Sequence, residues 1–183
     1  MDITPTDLSG VVILTPVRHG DERGFFSEVW KRDTFEAAGL PCDWVQDNHS
    51  RSGPKGVLRG LHYQTPPFAQ DKLLRVVRGA ILDVAVDLRR SSPTFGKHVA
   101  VELSAENWRQ LLVPAGFAHG FLTLSENTEV LYKVSAPYAP DHERGLLWND
   151  PALGIPWGVT EDEVTLSSKD RVNPTLEELT DLF

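Results

Sequence analysis

The stretch from Ile81 to Arg89 alternates between two kinds of side chain, and this period of two constrains the fold more than any other feature of the sequence. The even positions are aliphatic: Leu82, Val84, Val86 and Leu88. From Asp83 onward the odd positions are polar or small: Asp83, Ala85, Asp87 and Arg89. Successive side chains of a β-strand point to opposite faces, so the pattern predicts a strand.

The same alternation recurs in Val99 to Leu103 and in Glu129 to Val134, and turn-forming Gly and Pro separate these stretches throughout the chain. Many short strands favour a mostly β fold, namely a closed or nearly closed antiparallel barrel or jelly roll, because closure removes exposed sheet edges.

Only two short helices are predicted, and both lie at the periphery of the barrel. Asp33 is a candidate N-cap for a helix from Thr34 to Ala38, which Gly39 would end. Near the end of the chain, Asn173 and Pro174 have the chemistry of a helix start and predict a helix through Leu182.

Length and composition indicate one globular domain over residues 1–183. Hydrophobic residues make up 40% and charged residues 24% of the sequence, which is ordinary for a packed protein. The net charge of -8 argues against nucleic acid and anionic membranes as partners. With no apolar leader or span at the N-terminus and a single cysteine, Cys42, we expect a cytoplasmic protein without disulfides.

The segment VLRGLHYQ, residues 57 to 64, places an arginine and an imidazole in a strand-like stretch. Arg59 and His62 differ in parity, so a flat strand would turn them to opposite faces. Either a β-bulge re-aims one of them, or Arg59 serves a site shared with another subunit. A histidine in a strand is more often structural, so this segment alone does not establish a functional site.

The segment PAGFAHGF, Pro114 to Phe121, resembles the second motif of the cupin superfamily of small β-barrels and delivers His119. A metal-binding cupin carries a His-x-His pair in its first motif, since a divalent ion needs three or four converging ligands. Gln64 stands where the second histidine would be. Metal binding is therefore disfavoured, although His62, His119 and a distant carboxylate remain a conceivable ligand triad.

A set of cations and aromatic rings could hold a diphosphate and an aromatic ring, since GDERGFFSE (20–28) and LSSKDR (166–171) place basic residues beside Gly, Phe and Asp. Taken alone, any one of these cations would be interpreted as a solvated surface residue, and any one of the rings as a packed side chain. These residues are Arg23, Arg59, Lys72, Arg109 and Lys169, with Phe26, Trp108, Phe121 and Tyr138.

Eight segments in order resemble the dTDP-4-dehydrorhamnose 3,5-epimerase family, and the resemblance spans nearly the whole chain. They are GDERGFFSE (20–28), QDNHS (46–50), VLRGLHYQ (57–64), SPTFG (92–96), PAGFAHGF (114–121), LYK (131–133), LWND (147–150) and LSSKD (166–170). The resemblance implies a dimeric, metal-free and cofactor-independent cupin-type barrel. The implied reaction converts dTDP-4-dehydro-6-deoxy-D-glucose to dTDP-4-dehydro-L-rhamnose.

The resemblance also implies four catalytic residues. His62 is expected to be the base, and the family position of its carboxylate partner is Asp170, with Asp83 as an alternative that the sequence leaves open. Tyr132 is the expected acid, and Lys72 the cation that stabilises an enolate oxygen.

Eleven further positions are expected to bind the substrate, some of them in the site of a partner subunit. They are Arg23, Phe26, Glu28, Gln46, Asp47, Asn48, Arg59, His119, Tyr138, Glu143 and Lys169. The loop TPPFAQD, residues 65 to 71, departs from the family pattern and leaves substrate detail open. An epimerase acting at carbon 3 alone, a metal-dependent cupin enzyme and a non-catalytic nucleotide-sugar binding protein are the alternatives.

Overall fold

The computed structural model describes residues 1–183 and consists mainly of antiparallel β-strands. It also contains one α-helix, α1 (Arg32–Ala37), and two single turns of 3-10 helix, Pro140–His142 and Glu161–Glu163. The strands are β1 (Asp2–Pro5), β2 (Val12–Thr15), β3 (His19–Asp21), β4 (Gly24–Phe26), β5 (Gln46–Ser52), β6 (Leu58–Gln64), β7 (Lys72–Arg78), β8 (Ala80–Asp87), β9 (His98–Ser104), β10 (Gln110–Val113), β11 (Phe117–Thr123), β12 (Thr128–Val134) and β13 (Glu143–Gly145).

Two sheets form the body of the molecule. The first sheet has the order β1-β2-β10-β7-β12-β5, and the second has the order β13-β6-β11-β8-β9. β3 and β4 make a separate hairpin. The prediction of a mostly β, antiparallel, cupin-type fold is confirmed.

Strand β8 shows how the sheets divide their two faces. Ile81 and Ala85 pack in an inner core together with side chains of both sheets, whereas Val84 and Val86 pack in an outer core on the other face of the second sheet. The aliphatic face predicted for this strand is therefore the outer one. The polar face, which carries Asp83 and Asp87, points inward.

The C-terminal part of the chain covers the outer face of the second sheet. Trp148, Trp157 and Leu179 are buried there against strand residues. The first sheet has a smaller outer core, where Phe35 of α1 is fully buried beside Leu73. No helix in the chain has the length and apolar character needed to cross a membrane.

The predicted N-cap of α1 is wrong, since the helix begins earlier. Lys31 occupies the N-cap position without a side-chain capping bond, and Asp33 lies in the first turn. Burial of Phe35 anchors this short helix in place of a cap. Its end follows the prediction: Gly39 has a φ of 67°, a left-handed conformation that glycine adopts without steric cost.

The predicted C-terminal helix is also wrong, because only a turn forms at residues 176–178. The Pro174 carbonyl accepts a bond from Leu147 N–H at 2.7 Å, and the Leu176 N–H donates to Asp150 Oδ2 at 2.7 Å. These long-range bonds hold the segment against the sheet, so tertiary contacts override the local helix signal.

Candidate active site

A β-bulge in β6 brings Arg59 and His62 to the same side of the second sheet. Across the pair with β11, His119 faces His62 and Phe121 faces Arg59, so β6 has one extra residue in this interval. Of the two predicted explanations for the different parity of Arg59 and His62, the structure therefore shows the β-bulge. Both side chains line the space between the sheets.

Gly60 makes the bulge sterically feasible. Its φ is 124°, and a Cβ there would lie 2.6 Å from the Cα of Gly120 on the neighbouring strand. A Cβ at Gly120 would in turn lie 2.6 Å from the Arg59 carbonyl oxygen. The two glycines therefore allow the backbones of β6 and β11 to approach closely beside the site.

His62 is paired with Asp170. Its Nε2 lies 2.6 Å from Asp170 Oδ1, and the Asp170 side chain is 4% exposed against 35% for His62. Burial opposes ionisation of Asp170, but hydrogen bonds from His62, Ser167 and the Gly60 backbone outweigh it and hold the pKa of the carboxyl below its usual value. Of the two predicted partners for His62, the structure brings Asp170 to it.

Asp83 contacts a different imidazole. Its Oδ1 lies 2.7 Å from His119 Nε2, with both side chains buried. The site thus contains two histidine–carboxylate pairs: one joins His62 of β6 to Asp170 of the C-terminal segment, and the other joins Asp83 of β8 to His119 of β11. Over the whole chain, no group of three or more His, Cys, Asp or Glu side chains is arranged to share a metal ion, so the conceivable triad with His62 and His119 does not assemble.

Lys72 begins β7 in the first sheet and reaches toward His62, whose carbonyl oxygen lies 3.4 Å from its Nζ. Desolvation lowers the pKa of the ammonium to about 8, against the opposing influence of the Asp83 and Glu143 charges. The side chain is therefore a cation at neutral pH that loses its proton in mildly alkaline solution.

Tyr132 lies on β12, where its ring points into the space between the sheets and packs at the edge of the inner core. Burial raises the pKa of its phenol, an effect that the nearby Arg59 charge partly offsets. The next residue, Lys133, points to the opposite side and forms an ion pair with Asp47 at 2.9 Å. The predicted alternation of Tyr132 and Lys133 is thus present.

Two adjoining cavities between the sheets share three of the predicted catalytic residues, His62, Lys72 and Tyr132. The inner cavity, of about 270 Å³, is also lined by Arg59, His119 and Asp170. The rim cavity, of about 280 Å³, is also lined by Gln46, Asn48, Tyr138 and Glu143. The structure therefore assembles the four predicted catalytic side chains and six of the predicted binding residues around one continuous space.

The rim is held by hydrogen bonds among the predicted binding residues. Gln46 Nε2 donates to Asn48 Oδ1 at 2.8 Å, and Glu143 Oε2 accepts from both Tyr138 Oη and Lys169 Nζ at 3.1 Å. Lys169 thereby joins the rim through Glu143. The Tyr138 ring is 52% exposed and offers a flat surface at the mouth of the site.

Four predicted binding residues lie elsewhere in this chain. Arg23 and Phe26 belong to the exposed β3–β4 hairpin, where Arg23 pairs with Asp21 and Phe26 is 72% exposed. Glu28 follows the hairpin and is also exposed. Asp47 lies on the outer face of the first sheet with Lys133.

The other cations and rings singled out in the sequence divide between the cavity and the surface. Phe121 lines the inner cavity. Trp108 lies outside it, packed edge-on against Phe25 with ring centroids 4.9 Å apart, and Arg109 lies beside Trp108.

Sequence reasoning missed several polar residues of the cavities. Ser50 and Ser167 line the inner cavity, and Gln64 and Gln70 line the rim cavity. The alternation in QDNHS could have indicated Ser50, since it shares parity with Gln46 and Asn48. Gln70 belongs to the loop that departs from the family pattern, so this loop does form part of the rim.

Comparisons with known proteins identify the family. The family model described as dTDP-4-dehydrorhamnose 3,5-epimerase matches residues 5–178. The chain belongs to this family. A protein of Pseudomonas aeruginosa named dTDP-4-dehydrorhamnose 3,5-epimerase is 54% identical, with 93% of each chain covered. The chain is accordingly a sugar-nucleotide isomerase of the epimerase type.

Solved structures agree with this assignment. The epimerase of Legionella pneumophila in complex with dTDP-4-keto-L-rhamnose is 44% identical, with a TM-score of 0.93, covering 98% of this chain and 94% of its own. A 3'-monoepimerase from Streptomyces bikiniensis in complex with dTDP-quinovose is 38% identical, with a TM-score of 0.88, covering 95% and 87%.

Proposed function

We propose that the chain catalyses the 3,5-epimerisation of dTDP-4-dehydro-6-deoxy-D-glucose to dTDP-4-dehydro-L-rhamnose. The observation that carries this proposal is the convergence of the His62–Asp170 pair, the Lys72 ammonium and the Tyr132 phenol on the common boundary of two cavities. A base, a cation and an acid are the three groups that such a reaction requires.

The ketone at carbon 4 of the sugar acidifies the protons on carbons 3 and 5. His62 removes one of them through its free ring nitrogen, since Nε2 is occupied by Asp170. The Asp170 carboxylate fixes the imidazole tautomer and balances the imidazolium that proton removal creates. A different proton is later added to the same carbon from the opposite face, so the conversion is redox-neutral and needs no electron carrier.

Proton removal places negative charge on the ketone oxygen. Lys72 is suited to stabilise it, because a desolvated ammonium interacts with a developing oxyanion more strongly than a solvated one does. Its pKa of about 8 keeps it charged at neutral pH.

Inversion requires that the new proton arrive on the opposite face of the sugar. His62 comes from β6 in the second sheet and Tyr132 from β12 in the first, so the two groups approach the cavity from opposing walls. A sugar lying between them would lose a proton to one wall and gain one from the other. This arrangement supports Tyr132 as the acid.

The remaining cavity residues suit the nucleotide. Arg59 and Lys169 provide positive charge for the diphosphate, and the exposed Tyr138 ring can stack on thymine. Gln46 and Asn48 offer amide groups for hydrogen bonds with the sugar or base.

The exposed hairpin supports a homodimer with shared sites. Phe25 and Phe26 are 57% and 72% exposed, which is costly for two adjacent rings on a free surface. In a dimer, the hairpin would carry Arg23, Phe26 and Glu28 into the site of the partner. Mixing an Arg23→Ala variant with a His62→Ala variant would restore activity if sites are shared, and would leave both inactive if they are not.

We also propose that residues 1–183 act as one catalytic domain in the cytoplasm. Both sheets contribute walls to the same cavities, so the site depends on the whole barrel. The thiol of Cys42 is free, in keeping with a reducing compartment.

Proton NMR in deuterated water with dTDP-4-dehydro-6-deoxy-D-glucose tests the reaction. Loss of the signals at both carbons 3 and 5 is expected, while loss at carbon 3 alone would assign the narrower activity of the 3'-monoepimerase relative. Loss at neither carbon would refute epimerase activity.

The base is tested with two histidine variants in the same assay. His62→Ala should abolish exchange while leaving dTDP affinity largely intact. His49→Ala, on the outer face of the first sheet and paired with Glu129, should exchange both protons normally.

A further inference from the structure

Asp83 is a fully buried carboxylate on the inner face of β8, and only one of its oxygens is satisfied. Oδ1 makes the 2.7 Å contact with His119, whereas Oδ2 is buried with no hydrogen-bond partner. An ionised carboxylate in such a place is costly unless a positive charge balances it, and a half-satisfied one calls for an explanation.

The facing sheet supplies a suitable cation. Lys72 is the desolvated ammonium of the site, and among the charges that oppose the lowering of its pKa, Asp83 has the largest influence and Glu143 the next. The two side chains make no direct ion pair, so the carboxylate acts on the ammonium across the interior. In a medium of low polarity such an interaction extends further than in water.

The surroundings of Lys72 contain other titratable and charged groups, contributed by every neighbouring element of the site. They are Arg59 and His62 of β6, Asp83 of β8, His119 of β11, Tyr132 of β12, Glu143 of β13 and Asp170. Of the carboxylates, Asp170 is already paired with His62, and Glu143 is bonded to Tyr138 and Lys169. Of these carboxylates, Asp83 alone has a buried oxygen without a hydrogen-bond partner.

We infer that Asp83 is a positioning residue for the epimerisation: it fixes His119 in the cavity wall and keeps the Lys72 ammonium charged for the enolate. It does not line either cavity, so it acts through these two residues. This inference rests on the proposed function, because the charge of Lys72 matters to catalysis only if an enolate forms.

The sign of the effect follows from the charges. Lys72 is protonated below its pKa, so activity should fall as the pH rises through about 8. Removing the Asp83 charge removes an influence that raises this pKa, so the ammonium would deprotonate at lower pH. The alkaline limb of the pH profile, where kcat/KM declines, should therefore move to lower pH.

The test compares Asp83→Asn with Asp87→Asn. Asp87 lies on the same face of β8 and is equally buried, but it is bonded to Arg89, Ser92 and Thr94. Solvent exchange at carbons 3 and 5 is followed from pH 6 to pH 10, and kcat/KM is fitted. Asp83→Asn should lower kcat/KM by about 10-fold to 100-fold at neutral pH and shift the alkaline limb downward. Asp87→Asn should leave the limb in place.

A readout without turnover accompanies the kinetics. The ring ¹⁵N signals of His119 should change between wild type and Asp83→Asn, because the partner that fixes the imidazole has lost its charge. If Asp83→Asn does not fold, Asp83→Ser, which is smaller and retains a hydroxyl, takes its place in both measurements.

The possible results distinguish failure of the inference about Asp83 from failure of the proposed function. An alkaline limb that stays at the wild-type pH in the Asp83 variant, or unchanged His119 signals, would overturn the inference while leaving the epimerase intact. Wild-type protein that exchanges neither proton would refute the proposed function instead.

Discussion

Replacing Asp170 by asparagine removes one negative charge from the site while keeping the shape of the side chain. In the native protein the carboxylate lies 2.6 Å from His62 Nε2 and is almost fully shielded from solvent. The variant keeps a hydrogen-bonding group there, but its amide no longer balances an imidazolium. The change therefore tests the electrostatic part of the pair rather than its packing.

The magnitude follows from Coulomb's law. Charge centres about 4 Å apart in an effective dielectric of about 20 attract each other by about 4 kcal/mol. His62 is about one-third exposed, so solvent screening reduces this to about 2–3 kcal/mol. At about 1.4 kcal/mol per tenfold, Asp170→Asn should slow exchange at carbons 3 and 5 by about 30-fold to 150-fold.

The assay is proton NMR of the sugar nucleotide in deuterated water, with dTDP affinity measured in parallel. Asp181→Asn is the matched control, since Asp181 pairs with Arg144 at 2.7 Å and lines neither cavity. An Asp170→Asn variant that exchanges at more than one-third of the wild-type rate would refute the role assigned to the pair.

Three further predictions use the same protein and substrate. Tyr132→Phe should retain proton abstraction but lose inverted product, as NMR of the product sugar would show; full-rate formation of inverted product would contradict the acid role. The pH–rate profile should decline above about pH 8 as the Lys72 ammonium deprotonates, and a flat profile to pH 10 would exclude that cation from the reaction. Gly60→Ala should destabilise the fold by about 2–4 kcal/mol in chemical denaturation, because its Cβ meets the Gly120 Cα at 2.6 Å; an unchanged midpoint would show that the strands can separate there.

Local periodicity was sufficient to predict three strands of the two sheets. Ile81 to Arg89, Val99 to Leu103 and Glu129 to Val134 overlap β8, β9 and β12, because alternation is a property of consecutive residues. Periodicity does not say which face turns inward when both are buried. In β8 the aliphatic face is covered from outside, and the polar face with Asp83 belongs to the interior.

The parts that the sequence did not settle depend on distant segments. The bulge that aligns Arg59 with His62 requires Gly60 to meet Gly120, sixty positions later in the chain. The segment after Asn173 has a sound helix start, yet bonds to Leu147 and Asp150 hold it against the sheet with only a single turn. Neither contact is visible in a window of consecutive residues.

The outer core under the C-terminal segment has a consequence for how this fold can diversify. Much of the apolar burial that holds the second sheet together lies on the side away from the substrate. The inward positions of β6, β8 and β11 therefore need not all be apolar for the sheet to be stable. They can instead hold the polar side chains Arg59, His62, Asp83 and His119. Substitutions on the inner face of the second sheet can therefore change which sugar reacts, while the outer core preserves the shape of the barrel.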